Sequence, residues 1–211
     1  MAGAIYFDLD GTLVDTKADL CATVNHTRCD LGLNERSVDE IIGFVGLGAK
    51  HLLANTIPER ADDIDELWRI FISHYGEHVT EKAALYPNVA ETLEELRARG
   101  WILGVNTAKP SFAARRLLEH LNIAQYFGEV IIAGGDCEEM KPSPLPLIRC
   151  AQRANRALCS EDWMVGDNWT DVECAVNAGV KSIFCKFGFG CLRDSKPTFQ
   201  IESFSEILRV I

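Results

Sequence analysis

The chain has 211 residues and a formal net charge of -10, with 47% hydrophobic and 25% charged residues. This length and composition are typical of one large globular domain, or of one domain with a modest insertion, that buries a substantial core. The acidic balance and the lack of a Lys/Arg-rich run exclude a general nucleic-acid binder.

The N-terminal segment, the apolar runs and the cysteines indicate the cellular location of the protein. The first fifteen residues hold three aspartates and no basic residue, which argues against a secretion signal. No apolar run approaches the roughly 18–20 residues that span a bilayer. None of the eight cysteines forms a Cys-x-x-Cys pair, so we expect free thiols in a reducing compartment. These features predict a cytoplasmic protein with no membrane partner. We expect a monomer or a homodimer.

The first predicted strand is the apolar run 4–7, and Asp8 and Asp10 follow it. Two carboxylates this close repel each other, and burying them costs free energy unless another group pairs with them. The chain must therefore supply a cationic partner at the end of this strand.

An insertion follows the first strand. Residues 15–84 are polar with helical spacing, contain no strand-like run, and are too many for a simple crossover between strands. We therefore predict an inserted α-helical domain over 15–84, and a core that is formed by 1–14 and 85–211.

Two side-chain patterns stand out on the last predicted helix of this insertion. Trp68, Phe71 and Tyr75 fall at helical spacing and are expected in its hydrophobic core. His74 and His78 are four residues apart, a spacing that can bind a metal, but no glutamate follows the first histidine as in zinc proteases. We interpret the two histidines as a solvated or core-edge pair.

The rest of the chain alternates short apolar runs with helical segments. The runs are typical of strands that are buried on both faces of a parallel sheet, and they are 101–105, 130–133, 163–165 and 182–185. Val89, Leu93 and Leu96 share one face of a predicted helix that ends at Gly100. The next helix repeats the pattern with Phe112, Leu117, Leu118 and Leu121. This alternation predicts an α/β fold: a Rossmann-like parallel sheet core with helices on both faces and the inserted α-helical domain.

Ligands of open parallel sheets bind at the carboxyl ends of the strands, so the residues that follow each run matter most. Those residues carry four carboxylates, one hydroxyl and one amine: Asp8, Asp10, Thr107, Lys141, Asp167 and Asp171. Carboxylate oxygens suit a hard cation such as Mg²⁺, and Asp8 and Asp167 could hold it directly. Such a cation would offset the repulsion between the first two aspartates.

The same residues suit the transfer of a phosphate group. A cation and Lys141 can neutralise a phosphate dianion, while the Thr107 hydroxyl and loop amides can hydrogen-bond its oxygens. Asp8 is ionised at neutral pH, so it needs no base before it attacks phosphorus. Asp10 can protonate the leaving oxygen and then deprotonate the attacking water.

Four motifs, taken in chain order, resemble those of the haloacid dehalogenase-like hydrolase superfamily. They are DLDGT at 8–12, NTAKP at 106–110, KPSP at 141–144 and GDNWTD at 166–171. The inserted helices resemble the α-helical cap of the subfamily that includes phosphoglycolate phosphatase. The resemblance implies an Mg²⁺-dependent enzyme that hydrolyses a small phosphate monoester, similar to 2-phosphoglycolate, through an aspartyl-phosphate.

The resemblance also implies a role for each motif residue. Asp8 would be the nucleophile and Asp10 the acid and base. The implied metal ligands are Asp8, Asp10 and Asp167, with Asp171 as a further ligand or support. The implied phosphate-binding residues are Thr107, Ala108 and Lys141. Related phosphatases usually carry Asn at the Ala108 position, so one side-chain contact to the substrate is missing here.

The cap loop is the expected source of substrate selectivity. The stretch VGLGAKHLL, residues 45–53, resembles the glycine-containing loop of related caps, which implies that Gly46, Lys50 and His51 contact the substrate. The segment 188–197, GFGCLRDSKP, is compatible with a surface loop or with the edge of the active-site mouth.

Three alternative functions stay open at this point. A phosphosugar mutase of the same superfamily would pass its phosphoryl group on and release little free phosphate. A phosphonatase would need a cap lysine for a Schiff base, for which Lys50 is a candidate. A non-catalytic phospho-acceptor or binding protein, such as a response-regulator receiver, also gathers aspartates, a threonine and a lysine around Mg²⁺, but it lacks Asp10 and the insertion.

Overall fold

A six-stranded parallel sheet forms the centre of the computed structural model, which describes residues 3–211. The strands of the protein are β1 (Ala4–Phe7), β2 (Val14–Asp15), β3 (Ala84–Leu85), β4 (Ile102–Pro110), β5 (Ile131–Gly134), β6 (Trp163–Gly166), β7 (Lys181–Cys185) and β8 (Phe199–Ile201). The sheet order is β5-β4-β1-β6-β7-β8, and each neighbouring pair runs parallel. The central strand β1 therefore carries Asp8 to the middle of the carboxyl edge.

Helices cover both faces of this sheet. The α-helices are α1 (Lys17–Asp30), α2 (Val38–Ile42), α3 (Ala49–Thr56), α4 (Ile64–His78), α5 (Val89–Ala98), α6 (Ser111–His120), α7 (Leu145–Arg153), α8 (Trp169–Ala178) and α9 (Ile207–Val210). Apolar residues of α5, α6 and α9 pack on one face, and those of α7 and α8 pack on the other. The predicted fold class is confirmed.

The alternation of side chains along β1 creates the two hydrophobic layers. Ile5 and Phe7 belong to the layer on one face, whereas Ala4 and Tyr6 belong to the other. All four residues are fully buried, as expected for a central parallel strand. Burial of a side chain such as Phe7 contributes roughly 1.5–3 kcal/mol, so the strand that carries Asp8 is firmly anchored.

Helices α1–α4 form the cap, which has a hydrophobic core of its own. Phe71 and Tyr75 are buried in that core, as predicted, and Trp68 is partly buried against it. The ring of Phe71 lies 4.9 Å from that of Tyr75, measured between centroids. The cap helices therefore pack around a hydrophobic cluster of their own, which Ala113 of α6 joins.

A short antiparallel ribbon joins the cap to the core. β2 pairs with β3, with Val14 opposite Leu85 and Asp15 opposite Ala84. No strand was predicted here from the sequence. The chain enters and leaves the cap side by side at this ribbon, and the proposed boundaries of the cap, 15–84, fall within it.

Three further details differ from the sequence-based prediction. β4 continues to Pro110 through a register shift and pairs with Gly134, so Thr107 lies within the strand and not after it. β8 was not predicted because it is a short edge strand with an exposed Phe199. Phe112 was expected on the buried face of α6, but it is 43% exposed and its ring meets that of Tyr75 in the cap.

The cysteines are free thiols, as predicted, and four of the eight are buried. Burial raises the pKa of the Cys174 thiol to about 12, so this thiol stays protonated at neutral pH. Among residues 3–211, no helix has the length and apolar character that crossing a membrane requires.

Candidate active site

Buried carboxylates converge at the carboxyl edge of the sheet. Asp8 follows β1, Asp167 follows β6, and Asp171 lies in the first turn of α8. One carboxylate oxygen from each of the three lies within 4.8 Å of the others. All three side chains are almost fully buried. The structure thus gathers three of the four predicted aspartates at one point of the predicted edge.

Lys141 offsets part of this negative charge. Its Nζ lies 3.1 Å from Asp8 Oδ1 and 2.6 Å from Asp171 Oδ1. Asp171 also accepts a hydrogen bond of 3.0 Å from the amide of Asn168, the N-cap of α8, so helix capping holds its carboxylate in place. Burial alone would lower the pKa of Lys141, but Asp171 and Asp8 outweigh burial and raise it. Lys141 is therefore an ammonium ion at neutral pH.

Backbone amides hold Asp167. Its Oδ2 accepts hydrogen bonds from the amides of Phe189 at 2.9 Å and Gly190 at 2.7 Å. Both residues line the cavity above Asp8. The segment 188–197, for which the sequence left two interpretations open, therefore lines this cavity at its beginning.

Gly11 shows why the first motif requires a glycine. Its φ is +82°, a conformation that other residues rarely adopt. A Cβ at this position would lie 2.0 Å from Asp167 Oδ2. A larger residue would therefore strain the backbone and displace Asp167.

The carboxylate cluster fits a hard divalent cation. Burial raises the pKa of Asp167 well above its usual range, and Asp8 and Asp171 add to the effect. Burial also raises the pKa of Asp171 to about 7, although Lys141 opposes the shift. A divalent cation would favour the ionised forms, and an all-oxygen donor set suits Mg²⁺ better than softer metals.

Asp10 lies beside this cluster with partners of its own. Its Oδ1 accepts hydrogen bonds from Thr16 Oγ1 at 2.7 Å and from Lys109 Nζ at 2.8 Å. The predicted metal ligands included Asp10. The carboxylate group that the structure gathers consists of Asp8, Asp167 and Asp171, whereas the Asp10 carboxylate pairs with the ammonium group of Lys109.

Lys109 is a site residue to which the sequence analysis gave no role. Its buried ammonium group contacts Asp10 and the hydroxyl of Tyr75, and it lies 4.9 Å from the centroid of the Tyr75 ring. Burial lowers the pKa of Lys109, but Asp10 and Tyr75 outweigh burial and raise it. The signal in the sequence was a lysine among buried strand residues, which requires a carboxylate partner.

β4 provides the side of the cavity that the sequence assigned to phosphate binding. Thr107 is buried, and its Oγ1 accepts a hydrogen bond of 3.3 Å from the Lys109 amide. Thr107 and Ala108 both line the cavity next to Asp8. Ala108 contributes no polar side-chain atom to this part of the cavity.

The cap forms the opposite wall of the cavity, and its contribution is mostly apolar. The lining cap side chains are Leu20, Val45, Ala49, Leu52, Phe71 and Tyr75. Gly46 also lines the cavity, with a φ of +115°, and a Cβ there would lie 2.7 Å from Asn168 Nδ2. Asn168 Nδ2 donates a hydrogen bond of 3.3 Å to the Val45 carbonyl. The cap loop and the core therefore touch directly at the mouth of the site.

The other two cap-loop candidates lie outside this cavity. Lys50 Nζ forms an ion pair of 2.7 Å with Asp65, and its side chain is 56% exposed. His51 lines a second cavity, and its Nδ1 lies 3.4 Å from the Phe44 carbonyl oxygen. Of the three predicted cap contacts, the structure brings Gly46 to the site and leaves Lys50 and His51 away from it.

Comparison with known proteins identifies the family. A model of the family described as haloacid dehalogenase-like hydrolase matches residues 5–185, which contain all four motifs. The chain belongs to the haloacid dehalogenase-like hydrolase family. The matched residues include both the cap helices and the carboxyl edge of the sheet.

This haloacid dehalogenase-like hydrolase is similar to proteins named phosphoglycolate phosphatase. The one from Aquifex aeolicus is 30% identical, and the match covers 98% of this chain and 95% of that protein. The one from Escherichia coli (strain K12) is 34% identical, with 97% and 90% covered. The crystal structure of a predicted phosphoglycolate phosphatase from Haemophilus somnus has a TM-score of 0.90 and 30% identity, with 98% of this chain and 96% of that chain covered.

These relatives confirm the predicted subfamily and the predicted enzyme class. The protein is a phosphoric monoester hydrolase of the haloacid dehalogenase-like type, similar to phosphoglycolate phosphatase.

Proposed function

We propose that this haloacid dehalogenase-like hydrolase is an Mg²⁺-dependent phosphatase that cleaves 2-phosphoglycolate or a similarly small ester through an aspartyl-phosphate on Asp8. The observation that supports it most directly is the contact of Asp8 with the buried Lys141, close to Asp167. A nucleophile, a fixed positive charge and a candidate metal ligand thus lie within reach of one phosphate group.

Asp8 can attack phosphorus without a preceding proton transfer. Its Oδ1 accepts a hydrogen bond of 2.7 Å from the Leu9 amide and lies 3.1 Å from Lys141 Nζ, so Oδ2 is the oxygen that would form the new bond. As this bond forms, the bond between phosphorus and the ester oxygen breaks, and Lys141 stabilises charge on the phosphoryl oxygens. Held by Asp8, Asp167 and Asp171, Mg²⁺ would add positive charge at the phosphoryl group.

Asp10 would serve as acid and base. In its protonated form it gives its proton to the leaving alkoxide. Its carboxylate then takes a proton from the water whose oxygen attacks the phosphorus of the aspartyl-phosphate, which releases phosphate and restores Asp8. Thr16 and Lys109 both contact Oδ1 of Asp10, at 2.7 and 2.8 Å, and so orient the carboxyl group for both steps.

The lining of the cavity supports the part of the proposal that concerns the substrate. Its phosphoryl end is polar, while the cap closes the other end with apolar side chains such as Leu52 and Phe71. The names of the relatives point to 2-phosphoglycolate among small esters. The phosphonatase alternative loses support because Lys50 pairs with Asp65 outside the cavity. The cytoplasmic location and the monomeric or homodimeric state remain predictions.

A panel of phosphate esters tests the proposal. Phosphate release would be measured from 2-phosphoglycolate, sugar phosphates, nucleoside monophosphates and pyrophosphate, each with Mg²⁺ and with EDTA. We expect release that requires Mg²⁺ and is concentrated on 2-phosphoglycolate or one other small ester. The Asp8→Asn variant, purified in the same way, controls for contaminating phosphatases.

Two outcomes would contradict the proposal. Equal rates of phosphate release with Mg²⁺ and with EDTA would show that the reaction does not require a metal. Failure to release phosphate from any ester, together with movement of phosphate between two positions of a sugar, would favour a mutase.

A further inference from the structure

A cluster of three histidines lies in the cap, outside the cavity above Asp8. His26 belongs to α1, whereas His74 and His78 belong to α4. One ring nitrogen from each histidine lies within 4.8 Å of the others. The ring centroid of His26 is 5.5 Å from that of His74 and 5.3 Å from that of His78. The pair that the sequence indicated is therefore part of a set of three.

The packing of α1 against α4 builds this cluster. His74 and His78 are four residues apart and share one face of α4. On α1, Asp30 lies one turn after His26 and contacts His74. The cluster thus depends on a helix pair that is distant in sequence, which is why the sequence alone indicated only an isolated pair.

Carboxylates fix two of the three imidazole rings. His74 Nε2 lies 2.7 Å from Asp30 Oδ2, and His78 Nδ1 lies 2.7 Å from Glu81 Oε1. A carboxylate at one ring nitrogen selects the tautomer and makes the opposite nitrogen a better metal ligand. His74 Nδ1 and His78 Nε2 are the nitrogens that these contacts leave for an ion.

We propose that His26, His74 and His78 bind a divalent transition-metal ion such as Zn²⁺ at a site of the cap that is separate from the active-site carboxylates. Three imidazole nitrogens are a common protein ligand set for Zn²⁺, and such donors favour Zn²⁺ over Mg²⁺. Glu77 Oε2, which lies 3.8 Å from His78 Nε2, is close enough to supply a fourth ligand.

The site is open to solution. The side chains of His74 and His78 are 22% and 26% exposed, and His26 is exposed, so an ion can enter without unfolding the cap. A bound ion would join α1 to α4, the helix that also carries Tyr75 to Lys109 of the core. Because the cluster exists only when the two helices are packed, the ion binds the folded state and raises its stability.

Zn²⁺ titration of the full-length protein by calorimetry, in excess Mg²⁺, tests this site. We expect the wild type to bind one equivalent of Zn²⁺ more than His26→Ala, whose changed side chain is exposed. His120→Ala removes an exposed histidine at the end of α6 and should bind as much Zn²⁺ as the wild type. Glu81→Gln keeps the three ligands but should weaken binding by about 10- to 100-fold, because His78 loses its carboxylate partner.

Cobalt gives a second readout that does not depend on activity. Co²⁺ bound by imidazole nitrogens absorbs visible light, and we expect this absorbance in the wild type and in His120→Ala but not in His26→Ala. Zn²⁺ should likewise raise the unfolding midpoint of the wild type more than that of His26→Ala. Equal numbers of Zn²⁺ equivalents in wild type and His26→Ala, or the same Co²⁺ spectrum in both, would overturn the proposal.

Discussion

Asp8 keeps its place through contacts that an uncharged residue can also make. The Leu9 amide and Lys141 can donate to the side-chain oxygen of an asparagine, and Lys141 retains Asp171 at 2.6 Å. Asp8→Asn should therefore leave the fold intact while it removes the carboxylate that we propose as the nucleophile. We expect kcat to fall by roughly 10⁴- to 10⁶-fold, as measured by phosphate release at saturating substrate.

The unfolding midpoint of Asp8→Asn separates a loss of chemistry from a loss of fold. Asp62→Asn makes the same chemical change at an exposed residue of the cap and should resemble the wild type in both measurements. Turnover by Asp8→Asn close to that of the wild type would contradict covalent catalysis by Asp8.

The buried ion pair between Asp10 and Lys109 predicts strong coupling between these two residues. Lys109→Met leaves the Asp10 carboxylate, whose side chain is 11% exposed, without its cation, which costs up to about 3–5 kcal/mol of unfolding free energy. The double variant Asp10→Asn/Lys109→Met removes both charges, so its loss should fall short of the sum of the single losses by about 1–3 kcal/mol. Urea unfolding of the wild type, the two single variants and the double variant measures this difference.

An exposed ion pair in the cap supplies the matched control. Lys50 and Asp65 lie 2.7 Å apart, but their side chains are 56% and 85% exposed. The cycle of Lys50→Met and Asp65→Asn should give a coupling below about 1 kcal/mol because water screens the pair. Equal coupling in the two cycles would show that the pair of Asp10 and Lys109 is solvated and does not hold Asp10, the proposed acid and base, in place.

At the level of secondary-structure elements, the cap loop depends on one glycine. Gly46→Ala would place a Cβ 2.7 Å from Asn168 Nδ2 and push the loop away from α8. We expect kcat/KM for the best ester to fall by roughly 10- to 100-fold, since small displacements of catalytic groups have effects of this size. Steady-state kinetics checks the prediction.

The control variant Gly32→Ala separates the effect of backbone strain from the effect of the clash with Asn168. Gly32 also has a positive φ, of +70°, but no atom of the described residues 3–211 lies within 4 Å of its would-be Cβ. Both variants should lose about 1–3 kcal/mol of stability through backbone strain. Only Gly46→Ala should lose activity, and equal kinetic losses in both variants would contradict a role for the loop contact.

The elements also show which parts of the site the sequence could predict. Asp8, Lys141 and Asp167 follow short buried strands, and their place at one edge follows from the parallel sheet. The role of Lys109 was not predicted because its partner Tyr75 lies in the cap, and no local pattern pairs the two. The amides that hold Asp167 belong to the backbone of Phe189 and Gly190. Their role could not be predicted from the sequence, because it does not depend on a side chain.

At the scale of the whole molecule, the fold concentrates negative charge at one buried point of an already acidic protein. The net charge is -10, and the cluster of Asp8, Asp167 and Asp171 has Lys141 as its ion-pair partner. Without a bound divalent cation, ionisation of this cluster opposes folding. The stability of the entire protein should therefore respond to pH and to Mg²⁺ together.

The direction of this response follows from the raised pKa values. The pKa of Asp171, about 7, and that of Asp167 exceed the value of roughly 4 in an unfolded chain. A carboxyl group of this kind stabilises the folded state fully below about pH 4, and its contribution is lost as the pH rises through about 7. In EDTA, the cluster therefore destabilises the protein progressively between these two values.

A bound Mg²⁺ would favour the ionised carboxylates, so its stabilising effect should grow over the same range. We expect little difference between the unfolding midpoints in Mg²⁺ and in EDTA near pH 5, and a clear increase by pH 8. At a Mg²⁺ concentration of 100 times Kd the gain is about 2.7 kcal/mol, which corresponds to roughly 5–10 °C for a chain of this size. Asp167→Asn should abolish most of this gain, and an Mg²⁺ effect that is larger at pH 5 than at pH 8 would contradict a metal site in this cluster.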